Sequence, residues 1–185
     1  HVAKEATQSS RIEGTQTNIE DAFKDATDLN PEQRDDWTEV QNYIRAINTA
    51  IAALETLPLS SRLLRETHAV LMAGVRGEHK RPGEFRVSQN WIGVSLKNAV
   101  FIPPHHEHVT ELMSDLERFL HADNMFVHPL VRIAIGHYQF ETIHPFADGN
   151  GRAGRALIHV ILRRRGLAPR FVPPISLVLA TWATD

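Results

Sequence analysis

Between two stretches of helical hydrophobic spacing the chain carries HPFADGNGRAGR, His144 to Arg155, and this run leaves little freedom in the fold around it. Upstream, behind a Pro129 suited to a helix's first position, Leu130, Ile133, Ala134, His137 and Phe140 recur at helical intervals. Downstream, within Gly151 to Arg165, Leu157, Ile158, Ile161 and Leu162 do the same. The chain must therefore run helix, tight turn, helix, and the contents of the turn point to an anion. Gly149 and Gly151 lack side chains that would hold a phosphate off the backbone, and Asn150 is a preferred cap for the helix beginning beside it. Unpaired amides at such a helix start face an anion. Arg152 and Arg155, three apart, are expected on one side of the first turn, gripping successive phosphates. Asp148, just outside the helix, can hold a divalent cation against those phosphates. His144 stands at the other lip, and an ordinary histidine, titrating near ~6.5, accepts a proton at neutral pH. The implied set is a nucleotide, a metal and a base.

This run resembles the signature of the Fic domain, HxFx(D/E)GNGRxxR, with every specified position matched. RPGEFRVSQNWIG, Arg81 to Gly93, resembles the family's flap, and Phe101 to Pro104 its FIPP segment. Fic enzymes mostly transfer AMP from ATP to a protein hydroxyl. The resemblance implies His144 as general base, Asp148 as Mg2+ ligand and Phe146 as the loop's anchor. It implies Gly149, Asn150 and Gly151 as the cradle for the α- and β-phosphates, with Arg152 on the β side and Arg155 reaching the γ-phosphate. Asn90, Trp91, Ile92 and Gly93 would border the nucleotide, and the flap would hold a target segment by strand addition, presenting a Ser, Thr or Tyr hydroxyl. Automodification is a further implied outcome.

Near the start, SSRIEG resembles the family's inhibitory motif (S/T)xxxE(G/N), with Ser9, Glu13 and Gly14 at its fixed positions. A Glu13 carboxylate paired with Arg155 would occupy the guanidinium meant for the γ-phosphate, leaving ATP in an unproductive pose. Ser10 with Glu13 also reads SxxE, an ordinary helix capping box.

Other chemistries fit less of the pattern. Gly149, Gly151 and Gly154 satisfy GxGxxG, but a dinucleotide site needs a preceding strand and an acid about 20 residues on. Neither is present, since a helical pattern precedes the loop and no Asp or Glu falls between Asp148 and Asp185. Glu141 and His144 form ExxH, yet a four-helix iron site needs a second such pair. His105, His106, Glu107 and His108 have the wrong spacing to share one helical face and read as a solvated helix start. His137 and His159, on apolar faces, read as core histidines.

Three relatives of the main reading differ in chemistry. A phosphotransferase of the Doc kind carries lysine where Gly151 stands and alanine where Gly149 stands. In some relatives the inhibitory glutamate aligns a water that removes AMP, which makes Glu13 a candidate for de-modification. A non-catalytic nucleotide sensor would use the same cradle but has no need of His144.

Elsewhere helices dominate. Pro31 to Leu57 sets Val40, Ile44, Ile47, Ile51 and Leu54 on one stripe; Ser60 to Val75 adds Leu64, Leu71 and Val75; His106 to His121 adds Val109, Leu112, Met113, Leu116 and Phe119. Glu84 to Gly93 and Val94 to Phe101 read as two strands of a hairpin. The expectation is an all-α, mainly helical Fic fold with a small β-hairpin flap, one domain over 1–185. Within it 1–20 is the inhibitory segment, 84–102 the flap and 144–155 the active loop and helix start. A length of 185 residues with 42% hydrophobic content suits such a core, and a net charge of −2 gives no footprint for nucleic acid. Arg163 to Arg165 read as charge at a helix end. The chain has no cysteine, no apolar run at its start and no membrane span, from which a cytoplasmic location is expected. Self-association is left open. A first residue other than Met and the closing ISLVLATWATD lead us to expect an excerpt of a longer protein.

Overall fold

In the computed structural model, which describes residues 1–122, 126–168, 170 and 172–182, one helix is enclosed by the others. Helix α1 spans Val2–Ile12, α2 Pro31–Ala53, α3 Ser61–Leu71, α4 Val109–His121, α5 Pro129–Ile143, α6 Asn150–Arg164 and α7 Ile175–Trp182. From Arg152 to Leu162 every residue of α6 is buried. A helix covered on all sides needs partners on all sides, and α1, α2, α3 and α5 supply them. Pro31 and Pro129 open α2 and α5 at the first turn, and the Ser60 hydroxyl caps α3 by accepting from Leu63 N at 3.3 Å. The fold is therefore mainly helical, as expected.

The apolar stripes are shifted in two places. On α2 the deepest line is Val40, Tyr43, Ala46, Ile47 and Ala50, with Ile44, Ile51 and Leu54 at its margins. Both α1 and α3 pack on this helix, and the two alanines let them close in. On α5, Leu130 and Ala134 are exposed, and the buried line runs Ile133, Gly136, Phe140 and Ile143. A Cβ on Gly136 would sit 2.8 Å from Leu120 Cδ2, so the glycine is what admits α4. Hydrophobic counting passes over such a residue.

The hairpin is shorter than its sequence suggests. Strands β1 (Ile92–Gly93) and β2 (Ala99–Phe101) pair antiparallel, Ile92 opposite Phe101 and Gly93 opposite Ala99, with an irregularity between the pairs. Residues 84–91 form no strand because their bonds go elsewhere: Arg86 N donates to Pro145 O at 2.8 Å, tying this segment to the active loop.

Three nitrogen-bearing side chains on α6 lie three and four residues apart, Arg152, Arg155 and His159, and each meets a carboxylate from another element. Arg152 Nη1 is 3.1 Å from Glu39 Oε2 of α2, Arg155 Nη2 is 2.6 Å from Glu13 Oε1, and His159 Nε2 is 3.0 Å from Glu5 Oε1 of α1. Glu5 is fully buried and also accepts from Ser176 N at 3.0 Å and Ser176 Oγ at 2.6 Å, which fastens α7 to α1. Burial raises the Glu5 pKa, but the bonds from His159 and Ser176 outweigh it and leave the carboxyl below its ordinary value. Buried pairs of this kind fix arrangement more than they add net stability. Among the described residues no helix is long and apolar enough to cross a membrane.

Candidate active site

Helix α5 ends on His144 in the left-handed region, at φ 50° and ψ 60°. A side chain there costs about 1–2 kcal/mol relative to an ordinary conformation. Several bonds hold it: His144 N donates to Phe140 O at 2.9 Å, and the His144 carbonyl accepts from Arg86 Nε at 2.9 Å and Asn90 Nδ2 at 3.4 Å. Arg86 is only 4% exposed and also donates to the carbonyls of Ile143, Ser88 and Pro104. One guanidinium thus joins the base, the flap and the proline segment after it.

Beyond the base the loop is closed by side chains. Phe146 is fully buried, and the His68 ring stacks on it at 3.7 Å and 2°. Asn150 does not cap α6. Its Oδ1 accepts from Phe146 N and its Nδ2 donates to Phe146 O, both at 2.8 Å, so the amide closes the loop as a second peptide group would. The capping position falls to Gly149, at φ 74°, where a Cβ would lie 2.6 Å from Met72 Sδ. Asn90 Nδ2 adds a bond to Phe146 O at 3.2 Å.

His68 fixes the remaining corner. Its Nδ1 accepts from Gly83 N at 2.9 Å, so the proton is on Nε2, which donates to Asp148 O at 2.8 Å. Burial pushes the imidazole down to about 4. A histidine whose pKa falls on folding stabilises the fold fully above about 6.5 and loses that contribution as pH falls toward the folded value. In an NMR titration we expect His68 to remain the neutral Nε2-protonated tautomer at pH 6 and to titrate near 4, with the Gly83 amide shifting alongside. A midpoint near 6.5 would remove His68 from the loop.

Asp148 Oδ1 accepts from Gly149 N at 2.7 Å and Oδ2 from Lys80 Nζ at 3.0 Å. Burial raises this carboxyl, and the Lys80 and Gly149 bonds overcome that and bring it below its ordinary range. It is an ionised, half-open carboxylate on a turn, a donor of the kind Mg2+ takes alongside phosphate oxygens.

The two arginines do not lie side by side. Arg152 points to α2 and Arg155 to α1, because each is drawn by its own carboxylate. Arg152 Nε is buried without a hydrogen-bond partner, while Nη1 is held by Glu39, so one donor of this guanidinium is left for an anion. Arg155 Nε donates to Ser9 Oγ at 2.8 Å and its Nη2 to Ser9 O at 3.0 Å as well as to Glu13. A Cβ placed on Gly151 would lie 2.2 Å from Glu13 Oε1, so a carboxylate is seated on the first turn of α6, where the amides of Asn150, Gly151 and Arg152 precede the helix's first internal donor. The capping-box alternative for Ser10 and Glu13 fails, since both stand at the C-terminal end of α1. Gly14, at φ 102°, turns the chain away immediately after.

A cavity of about 470 Å³ is lined by Glu13, Gly151 and Arg155, by His144, by Trp91 and Ile92 of the flap and by Leu179 of α7. His137 and Glu141, 3.5 Å apart, also border it, so His137 belongs to the cavity wall and not to the core. Gly93, at φ 128°, serves the hairpin: a Cβ would lie 2.9 Å from Asn98 O. Asp148, Gly149 and Arg152 lie against the α2–α3 side of the loop. Burial lowers the pKa of His144, partly offset by Glu141, so the imidazole is neutral at pH 7.

Fold and site together define a helical domain in which the start of one buried helix and a neutral histidine border one cavity. The chain belongs to the Fic/DOC family: residues 58–162 match that family and residues 1–52 its N-terminal region. It is similar to a protein adenylyltransferase, fic-1, of Caenorhabditis briggsae, at 32% identity over 123 residues, 61% of this chain and 23% of that protein. It is also similar to protein adenylyltransferase Fic of Culex quinquefasciatus, at 41% over 88 residues, 47% and 16%. The chain thus spans about a quarter or less of these relatives. A Fic family protein from Desulfovibrio desulfuricans superposes with a TM-score of 0.64 at 31% identity, covering 89% of this chain and 48% of that one. A Fic domain containing signaling protein from Bacteroides thetaiotaomicron shares the fold at a TM-score of 0.75 and 22% identity, covering 89% and 63%.

Proposed function

We propose that the chain, as a single Fic domain over 1–185, transfers AMP from ATP to a Ser, Thr or Tyr hydroxyl of a protein and is held back by Glu13. The observation that carries this reading is the Glu13–Arg155 contact at 2.6 Å seated over Gly151, a carboxylate where a phosphate would bind. The names of the relatives agree with it. ATP lies along the loop, its phosphates against the α6 amides, with Arg155 on the γ-phosphate once Glu13 withdraws and the spare Nε of Arg152 on the β side. Asp148 is the residue that would hold Mg2+, which when bound neutralises pyrophosphate charge. The target segment docks along β1 and β2, and neutral His144 takes the hydroxyl proton as the oxygen attacks the α-phosphorus in line and pyrophosphate leaves. Most of the rate comes from positioning and electrostatics. A cytoplasmic setting accords with the absence of cysteine.

A second reading draws on one feature: Glu13 and His144 face the same cavity, so Glu13 can orient a water that removes AMP. Incubation with each of the four labelled nucleoside triphosphates, followed by intact-mass measurement, tests the first reading. An AMP-sized adduct from ATP alone is expected on the Glu13→Gly variant; a single-phosphate adduct or none on that variant would overturn the reading, and loss of AMP from a modified target would favour the second.

A further inference from the structure

Pro104 is followed by four residues, His105, His106, Glu107 and His108, whose sequence spacing suits no regular helical face. The backbone there is not a regular helix. His105 is extended, at φ −57° and ψ 143°, and His106–His108 make a single 3-10 turn before α4. This change of direction gathers three side chains: one ring nitrogen from His105, one from His106 and one carboxylate oxygen of Glu107 lie within 4.8 Å of one another. Among the described residues this is the one group of its kind. The two rings are 4.2 Å apart, His105 Nδ1 is 3.4 Å from Glu107 Oε2, and the half-buried His106 keeps its Nδ1 away from water with no hydrogen-bond partner.

We propose that His105, His106 and Glu107 bind a divalent transition-metal ion, zinc by preference, and that the ion stiffens the returning arm of the flap. Two imidazoles and a carboxylate are a zinc donor set, whereas Mg2+ and Ca2+ prefer oxygen ligands throughout. Zinc bonds of ~2.0–2.2 Å in a tetrahedron place ligand atoms roughly 3.5 Å apart, and the three ligand atoms already lie within 4.8 Å of one another. Water completes the coordination. This site is separate from Asp148. Its position gives the ion leverage, since the adjacent carbonyl of Pro104 accepts from Arg86, the guanidinium that also holds the His144 carbonyl, and Pro103 O accepts from Gln89 Nε2 at 2.9 Å. Strand β2 ends two residues before Pro103.

The test is calorimetric titration of tag-free protein with Zn2+ alone. One ion per chain with Kd at or below ~10 µM is expected, at least a ~10-fold loss in His105→Ala/His106→Ala, a smaller loss in Glu107→Gln, and none in His144→Ala. Co2+ substituted into the unaltered protein should show the intense visible bands of a four-coordinate site, which keeps the proposal testable if the double variant misfolds. No saturable binding, or stoichiometric binding that survives the double substitution, overturns the site. Amide exchange at Ala99–Phe101 should slow on adding Zn2+ in the unaltered protein only, and unchanged exchange overturns the stiffening.

Discussion

His144→Ala is expected to reduce AMP transfer by roughly 10²–10⁴-fold while nucleotide affinity stays near that of the unaltered protein. The separation follows from the proposed roles: the anion contacts are assigned to the start of α6, to Arg155 and to Nε of Arg152, and His144 is not among them. Its backbone is held through its amide and carbonyl, neither of which alanine lacks, so the loop should keep its shape. Since burial lowers the imidazole pKa, the base is already free of its proton at neutral pH. The acid limb of the kcat/KM profile should therefore fall below the ordinary histidine value of ~6.5. Transfer kinetics and equilibrium nucleotide binding, measured on the same preparation, decide the matter: a collapse of binding would make the residue structural.

The opposite effect is expected for Glu13→Gly, a gain of roughly ten- to a hundredfold in automodification. A charge-assisted hydrogen bond contributes roughly 1.5–3 kcal/mol, toward the lower end here because the Glu13 side chain is 35% exposed. Removing the carboxylate frees Arg155 Nη2 and the space over Gly151 together. Arg155 should stay in place, because Ser9 still accepts from it twice. Incorporation of label from ATP reads the gain, and an unchanged rate would show that the contact restrains nothing.

Much of this arrangement was readable before any coordinates. The helices follow from periodicity and from Pro31 and Pro129; the turn at 144–155 follows from its glycines; the contact of Glu13 with Arg155 follows from two motifs taken together. What stayed hidden has a common cause. Arg86, His68, Lys80, Glu39 and Glu5 each act through contacts made across a long stretch of chain, and a lone polar residue in a loop or on a helix carries no periodic signal. Buried charges look like surface charges until their partners are known. Gly136 hid for the opposite reason, since its contribution is the absence of a side chain. The His105–Glu107 cluster escapes spacing arguments because they assume a regular helix, and the chain bends there.

Helix α1 meets α6 through Glu5 and Ser9, and again through Glu13 just past its last residue, and of these three only Glu13 borders the cavity. Glu5, bound to His159 and Ser176, moors the far end in the interior whether or not Glu13 is engaged. Under the proposed autoinhibition the restraint is a single side chain hanging from a fixed post, and lifting it asks for a rotamer change, a motion of picoseconds to nanoseconds at exposed positions, with no helix having to undock over microseconds or longer. Incoming triphosphate can then contend with Glu13 for Arg155 on equal kinetic terms, and the balance between silent and active protein becomes a matter of relative affinity, open to adjustment by anything that merely nudges the last turn of α1.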